Sequence, residues 1–325
     1  MSESSLRDVA PGTWSLGLEV PTSPLVSATN CYLIESGDGA VYVVDPGWDT
    51  PSNEAALMDA LDDHGSSIEA IGGIVVTHLH ADHLGLARRL GDEYRVELIM
   101  HTEEYAAAVT PDERFLPESL RRCFQDWGVP ANEARQLADE LKVRYDPVPS
   151  LPGTRTVEDG ERLPIAGRVI RAMHTPGHTT GHLCLLDEEN DALLSGDLVL
   201  PSITPGVGLG AASATNPLTD MIQSLGRVSE LPALCLPGHG KVFTGIDARC
   251  AEILSRYDTR TAQVREVAGE DPSATVWGIA TRLRWNGGAW NSLAPYFRRS
   301  AMSQVAMHVA RIRGGVPESG EWRWA

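Results

Sequence analysis

The sequence predicts an α/β fold, with two sheets covered by helices and a smaller α-rich module at the end of the chain. Three observations predict it. Apolar runs of strand length alternate with stretches of helical apolar spacing through the body of the chain. Glycine and proline turns separate the two kinds of segment. From about Asp271 onward the strand signals stop.

The elements follow in order. Asn30 to Ile34 reads as a strand and Ala40 to Val44 as its hairpin partner, joined through Ser36-Gly37-Asp38-Gly39. Asp45-Pro46-Gly47 ends that run. Asn53 to His64 carries apolar residues at helical spacing (Ala56, Leu57, Ala60, Leu61) and stops at Gly65. Ile71 to Thr77 is a buried strand, Leu84 to Leu90 a helix stopped by Gly91, and Val96 to Met100 another strand. Glu103 to Arg144 turns helical, over Glu118 to Trp127 and Ala131 to Leu141, with breaks at Pro111, Pro117 and Pro130. Strands return at Val169 to Met173, Leu183 to Leu186 and Ala192 to Leu194. Asn216 to Leu231 is a helix, Leu234 to Leu236 the last strand, and Asp247 to Gly269 a long helix.

Composition sets bounds. A chain of 325 residues, 42% hydrophobic and 22% charged, can bury a large core as one domain or one and a half. No apolar run reaches the ~20 residues that span a bilayer, so no membrane partner is expected. Met1-Ser2-Glu3-Ser4-Ser5 offers neither a basic start nor an apolar stretch, so no signal peptide is expected. Five cysteines (Cys31, Cys123, Cys184, Cys235, Cys250) are scattered without a C-x-x-C pair. Free buried thiols in a reducing cytoplasm are expected, and cysteine is a poor candidate for metal here. The net charge of −17 argues against a protein generally coated by nucleic acid. From Asp271 on, however, seven arginines face three acidic residues, a basic end on an acidic body.

The chemistry is carried by five histidines and two aspartates. Thr77-His78-Leu79-His80-Ala81-Asp82-His83 supplies four candidate metal ligands at the carboxyl end of a strand, where a rigid element anchors them at the rim of a sheet. His178 follows a Thr175-Pro176-Gly177 turn, Asp197 follows Gly196 at a strand end, and His239 lies between Gly238 and Gly240. A polar turn capping a helix would explain the first cluster alone, but it does not explain the whole set in this order. Asp82 and His83 are placed to face a second metal, and Asp197, with two oxygens, is the natural bridge. Imidazole with carboxylate suits two divalent ions, zinc first, with iron or manganese as alternatives. His174 and His182 are read as groups that support ligands, His101 as divided between pocket and surface, and His64 and His308 as plain helix residues.

These residues resemble the H-x-H-x-D-H signature of the metallo-β-lactamase superfamily, with His178, Asp197 and His239 in the family's order and Asp45-Pro46-Gly47 upstream. The resemblance covers roughly residues 12 to 245. It implies an αββα metallo-β-lactamase sandwich with the metals at one edge. By that likeness His78, His80 and His178 would hold the first metal, Asp82, His83 and His239 the second, with Asp197 bridging and Asp45 supporting the ligands from behind. Residues 1–245 would form the catalytic domain, with 103–145 as a helical insertion placed to serve as a lid. Residues 246–325 would form a helical, winged-helix-like C-terminal module, similar to that of some metallohydrolases. Histidine at position 80 with Asp82 departs from the diiron oxidoreductase branch. An aspartate at 197 is similar to the glyoxalase II and lactonase-like branches.

The expected function is hydrolysis of a thioester, ester or lactone by a metal-bridging hydroxide, with Asp82 holding, or accepting a proton from, the nucleophile. The expected substrate is a small molecule or a carrier-bound acyl group, and a homodimer is left open. A single-stranded RNA endonuclease using the same metals is the alternative that leans on the basic end, but the charge of −17 disfavours nucleic acid. β-Lactam hydrolysis is a further alternative.

Overall fold

A computed structural model of the protein describes residues 6–21, 26–110, 117–140, 151, 153–210, 213–231, 233–285 and 288–314. The first sheet has seven strands in chain order: β1 (Arg7–Ala10), β2 (Thr13–Glu19), β3 (Ala28–Glu35), β4 (Val41–Val44), β5 (Ile71–Val75), β6 (Leu98–His101) and β7 (Thr154–Val157). The first four pair antiparallel, and β4 through β7 pair parallel. The first two parallel steps are made by crossover helices α1 (Pro51–Asp63) and α2 (Ala81–Tyr94), both packed on the outer face of this sheet. The second sheet has the order β11-β10-β9-β8, with β8 (Ile170–His174), β9 (Leu183–Asp187), β10 (Ala192–Gly196) and β11 (Leu234–Pro237). Because β8–β9 and β9–β10 are antiparallel and β10–β11 parallel, β8, β10 and β11 all point the same way.

Period-2 alternation builds the layers. On β3 and β4, Cys31, Leu33, Val41 and Val43 pack outward against α1 and α2 through Leu57, Leu61, Leu86 and Leu90. Their neighbours Tyr32, Ile34, Tyr42 and Val44 point inward and meet Ile170, Leu183, Leu185, Leu194 and Leu236 of the second sheet. The outer face of the second sheet, with Cys184, Leu193 and Cys235, is covered by α6 (Pro217–Ser229) and α7 (Ile246–Glu270). The order of layers is therefore helix, sheet, sheet, helix, as expected.

The C-terminal region is helical: α7, α8 (Val276–Arg282) and α9 (Pro295–Arg313). It shares one core with α4 (Pro117–Asp126) and α5 (Ala131–Glu140), where Phe124, Trp127, Leu137, Ile279, Trp290 and Met302 are buried together. Residues 111–116 and 141–150 of the expected insertion lie outside the described residues. Arg298 lies over Trp290 and Arg260 over Trp285, a packing use for these aromatic and cationic side chains.

Local signals explain most boundaries. Thr50 caps α1 by accepting from the Asn53 N–H, with Pro51 opening the helix. One expectation is corrected: Gly91 does not stop α2, which continues to Tyr94 and ends where Arg95 takes a left-handed conformation. A glycine costs a helix only about 1 kcal/mol, and here it faces Leu98 at a close helix–strand approach. The helix also starts at Ala81, so Asp82 and His83 stand on its first turn rather than in a loop. The strands β1, β2 and β7 were not anticipated. Among the described residues no helix is long and apolar enough to cross a membrane. The five cysteines are free and all but Cys123 are buried, in keeping with their exclusion as ligands.

Candidate metal centre

The chain leaves the carboxyl ends of β4, β5, β8, β10 and β11 at one edge of the sandwich, and each exit carries a polar side chain: Asp45, His78 with His80, His178, Asp197 and His239. Asp82 and His83 join them from α2. The two sheets are tied together at this edge. The Leu183 N–H donates to Thr77 O at 2.9 Å, the Asn30 N–H to Gly238 O at 2.7 Å, and the Tyr32 hydroxyl to Pro237 O at 2.7 Å. Close approach is required: a Cβ at Gly238 would lie 2.6 Å from Asp197 Oδ1.

All seven residues named from the sequence converge. Three overlapping groups, His78–His80–His178, His78–His83–Asp197 and Asp82–His83–His239, each bring their ligand atoms within 4.8 Å of one another. His78 Nε2 and His178 Nε2 lie 2.9 and 3.2 Å from His80 Nδ1. Asp197 Oδ2 is 3.6 Å from His178 Nε2, whereas its Oδ1 is 3.5 Å from His239 Nε2 and 3.8 Å from His83 Nε2. Asp82 Oδ2 is 3.4 Å from His239 Nε2 and 3.9 Å from His83 Nε2. One carboxylate thus faces two nests of nitrogens, one with each oxygen.

The outward nitrogen of every histidine in the set is engaged. Nδ1 of His83 meets Asp45 Oδ2 at 2.8 Å, Nδ1 of His178 meets Gly206 O at 2.9 Å, and Nδ1 of His239 meets Ala28 O at 2.8 Å. His80 Nε2 meets Leu209 O at 3.0 Å. His78 Nδ1 meets the Thr77 hydroxyl at 3.0 Å, and that hydroxyl donates to Asp45 Oδ2 at 2.7 Å. An acceptor behind each ring places the proton outward and turns the lone pair of the other nitrogen into the cluster, the tautomer a metal needs.

The chemistry of this donor set fits metal on an independent observation. His83 Nε2 and Asp197 Oδ1 are buried and have no hydrogen-bond partner. Buried polar atoms are nearly always paired, and these two face the same small space. Electrostatics divides the set. Burial and neighbouring imidazoles push His78 well down and His178 down to about 4, so the first nest is built of neutral rings. At the second nest burial again disfavours charge, but Asp197 and Asp82 outweigh it and raise His239 to about 11. His83 is raised as well, by Asp45 and Asp82 against its burial. Asp82 and Asp197 are held below the usual carboxylate range despite burial, by His83 and His239 among others. The carboxylates of the second nest thus favour positive charge there, the kind of charge that a cation supplies.

Further groups support the centre. His182, fully buried, accepts the Asp197 N–H on Nε2 at 3.0 Å while its Nδ1 meets the Thr175 hydroxyl at 2.9 Å. Glu104, on α3 (Thr102–Val109), accepts the Leu79 N–H at 2.6 Å and the Gly181 N–H at 2.8 Å, tying two segments that carry candidate ligands together. Sequence reasoning missed Glu104; a glutamate on a helix carries no signal of this use. His101 is buried and stacks on His174 at 3.9 Å between ring centroids, outside the ligand set. His64 ends α1 against the Trp14 ring, and His308 is buried on α9 beside the Thr261 hydroxyl.

The chain is similar to known proteins. The model of the metallo-beta-lactamase superfamily matches residues 25–239. A probable metallo-hydrolase, YqjP of Bacillus subtilis, is 30% identical over 283 residues, covering 82% of this chain and 84% of that one. A metallo-beta-lactamase family protein from Thermus thermophilus superposes with a TM-score of 0.72 at 28% identity, over 94% of this chain and 97% of that one. An atrochrysone carboxyl ACP thioesterase of Aspergillus fumigatus is 27% identical over 242 residues, 74% of this chain but only 44% of that longer protein. With this layer order, this ligand-bearing edge and these relatives, the chain belongs to the metallo-β-lactamase superfamily and is one of its hydrolytic enzymes.

Proposed function

We propose that the chain hydrolyses a thioester, ester or lactone at a two-metal site, with a carrier-bound or coenzyme-bound acyl thioester as the preferred class. The observation that carries the two-metal reading is Asp197: its Oδ2 faces the His78–His80–His178 nest and its partnerless Oδ1 faces His83, His239 and Asp82. His78, His80 and His178 would hold one ion, Asp82, His83 and His239 the other, and Asp197 both. An imidazole–carboxylate set with no thiolate favours zinc. When bound, two such ions lower the pKa of water to near ~7 and polarise an acyl carbonyl.

The chain's own residues set the rest. Neutral rings at the first nest present lone pairs without losing protons first. Asp82 is the more exposed of the two carboxylates, its side chain 17% accessible against 11% for Asp197. A carboxylate held ionised at the open side of the centre is placed to orient an attacking water and to take its proton. Thioester chemistry is supported by the resemblance to the thioesterase, which extends over part of that protein's length. The net charge of −17 weighs against an RNA substrate.

The test pairs elemental analysis with a substrate panel: an acyl-carrier-protein thioester, an acyl-CoA, S-lactoylglutathione, a homoserine lactone, nitrocefin and a single-stranded RNA. The expected outcome is near two metals per chain, cleavage of a thioester, and loss of at least ~100-fold in kcat/KM on Asp197→Ala. Full turnover by the Asp197→Ala protein would overturn the reading, and so would cleavage of RNA with no thioester cleaved.

A further inference from the structure

The supports behind the two nests come from different parts of the molecule. At the second nest they come from the first sheet: Asp45 after β4 holds His83, and Ala28 O on β3 holds His239. At the first nest two of the three supports are carbonyls of one irregular segment. Gly206 O holds His178 and Leu209 O holds His80. This segment, between β10 and α6, is neither helix nor strand, so its shape has to be fixed from outside.

The far end of this segment is bonded to the His178 turn, Gly208 N–H to Gly177 O and Leu209 N–H to His178 O at 2.8 Å each, and the C-terminal helix α7 holds its first half. Arg249 is 7% exposed and donates from Nε to Leu200 O and from a terminal nitrogen to Ile203 O, both at 2.7 Å. Its other terminal nitrogen donates to Glu252 at 2.5 Å, so the guanidinium is held on both sides. Two turns along the same helix, Arg256 donates to the Thr204 hydroxyl at 3.2 Å and the buried Tyr257 hydroxyl to Pro205 O at 3.3 Å. The pinned stretch ends at Pro205, one residue before the carbonyl that holds His178. A planar fork buried against two carbonyls is a rigid template, which a flexible ammonium does not reproduce.

We propose that Arg249 is a positioning residue for the first metal nest: through the 200–209 segment it sets the carbonyls that orient His178 and His80, and so couples the C-terminal helices to one of the two metal positions. The groups that orient the second nest, Asp45 and Ala28 O, lie outside that segment. This inference rests on the two-metal reading of the site. Groups that orient metal ligands from behind typically contribute 10–100-fold in affinity.

The experiment measures zinc affinity by competition with a chromophoric chelator, in the full chain and in its Arg249→Met variant. It is done in two backgrounds. His239→Ala leaves the three-histidine nest, and His80→Ala leaves the second nest. The expected result is a loss of about 10–100-fold on Arg249→Met in the His239→Ala background and under twofold in the His80→Ala background. Tyr257→Phe, which removes one hydroxyl and little volume, should show the same asymmetry with a smaller loss, and serves if Arg249→Met does not fold. Equal affinities with and without the substitutions in the His239→Ala background, or equal losses in both backgrounds, would overturn the coupling. If the unsubstituted chain binds fewer than two metals, the two-metal reading itself falls, an outcome separate from the behaviour of Arg249.

Discussion

At the scale of single residues, the candidate centre is held by groups outside its seven candidate ligands. Glu104 shows the balance. Burial raises its carboxyl from the ordinary 4.5 to about 7, against the pull of the Leu79 and Gly181 N–H donors. A folded-state pKa above the unfolded value means the folded chain binds the proton more tightly. Glu104 therefore contributes stability that is complete below about pH 4.5 and lost as pH rises through about 7. The effect is on the order of 3 kcal/mol over that window. Glu104→Gln cannot titrate, and its one carbonyl oxygen cannot serve both N–H donors. It should lose about 1–3 kcal/mol near pH 5 and show a flatter fall toward pH 8. Urea unfolding of both proteins at the two pH values measures this, and parallel slopes would show that Glu104 stays in one protonation state throughout.

At the scale of elements, turns at strand ends carry the candidate ligands, and their geometry is set by what packs behind them. Gly177 has φ of +133°, and a Cβ there would lie 2.4 Å from the Met221 Cα on α6. Gly177→Ala must therefore move α6 or the His178 turn. It should cost at least about 2 kcal/mol together with weaker metal binding, read from the denaturation midpoint and from metal content. A glycine in a Pro-Gly-His turn is visible in the sequence, but the backbone of α6 behind it is not. The same limit decides what was legible. Strands with continuous apolar runs, such as β3, β5 and β9, announced themselves, because burial on both faces leaves no other reading. β2 was missed because Thr13 to Glu19 mixes serine and glycine among its apolar residues, and β7 because Thr154–Val157 is an edge strand with two exposed positions. Gly91 misled because local propensity is weaker than packing. The seven candidate ligands were legible because their types and spacing have no cheap alternative. Their supports were not, since Gly206 O, Leu209 O and Ala28 O are backbone atoms that no side-chain pattern reports.

At the scale of the whole molecule, the seven residues divide between the two sheets. His78, His80, Asp82 and His83 hang from the first sheet, and His178, Asp197 and His239 from the second. A metal held in either nest would join them, since His178 and Asp197 face the first and His239 and Asp197 the second. Binding to the folded chain alone adds RT ln(1 + [L]/Kd), about 4 kcal/mol at a thousandfold excess over Kd. Chelation should therefore lower the unfolding temperature by roughly 5–10 °C for a chain of this size. Imidazoles must be unprotonated to bind metal, so affinity, and with it the chelator-induced drop, should be larger at pH 8 than at pH 6. Calorimetry with and without a chelator at both pH values measures the drop, with metal removal confirmed by elemental analysis. An unfolding temperature indifferent to metal would mean that the interlocked core of Tyr32, Ile34, Val44, Leu183 and Leu194 holds the sheets together unaided. A drop at pH 8 that shrinks at pH 6 would mean that the centre joins the two halves of the sandwich as well as serving the chemistry.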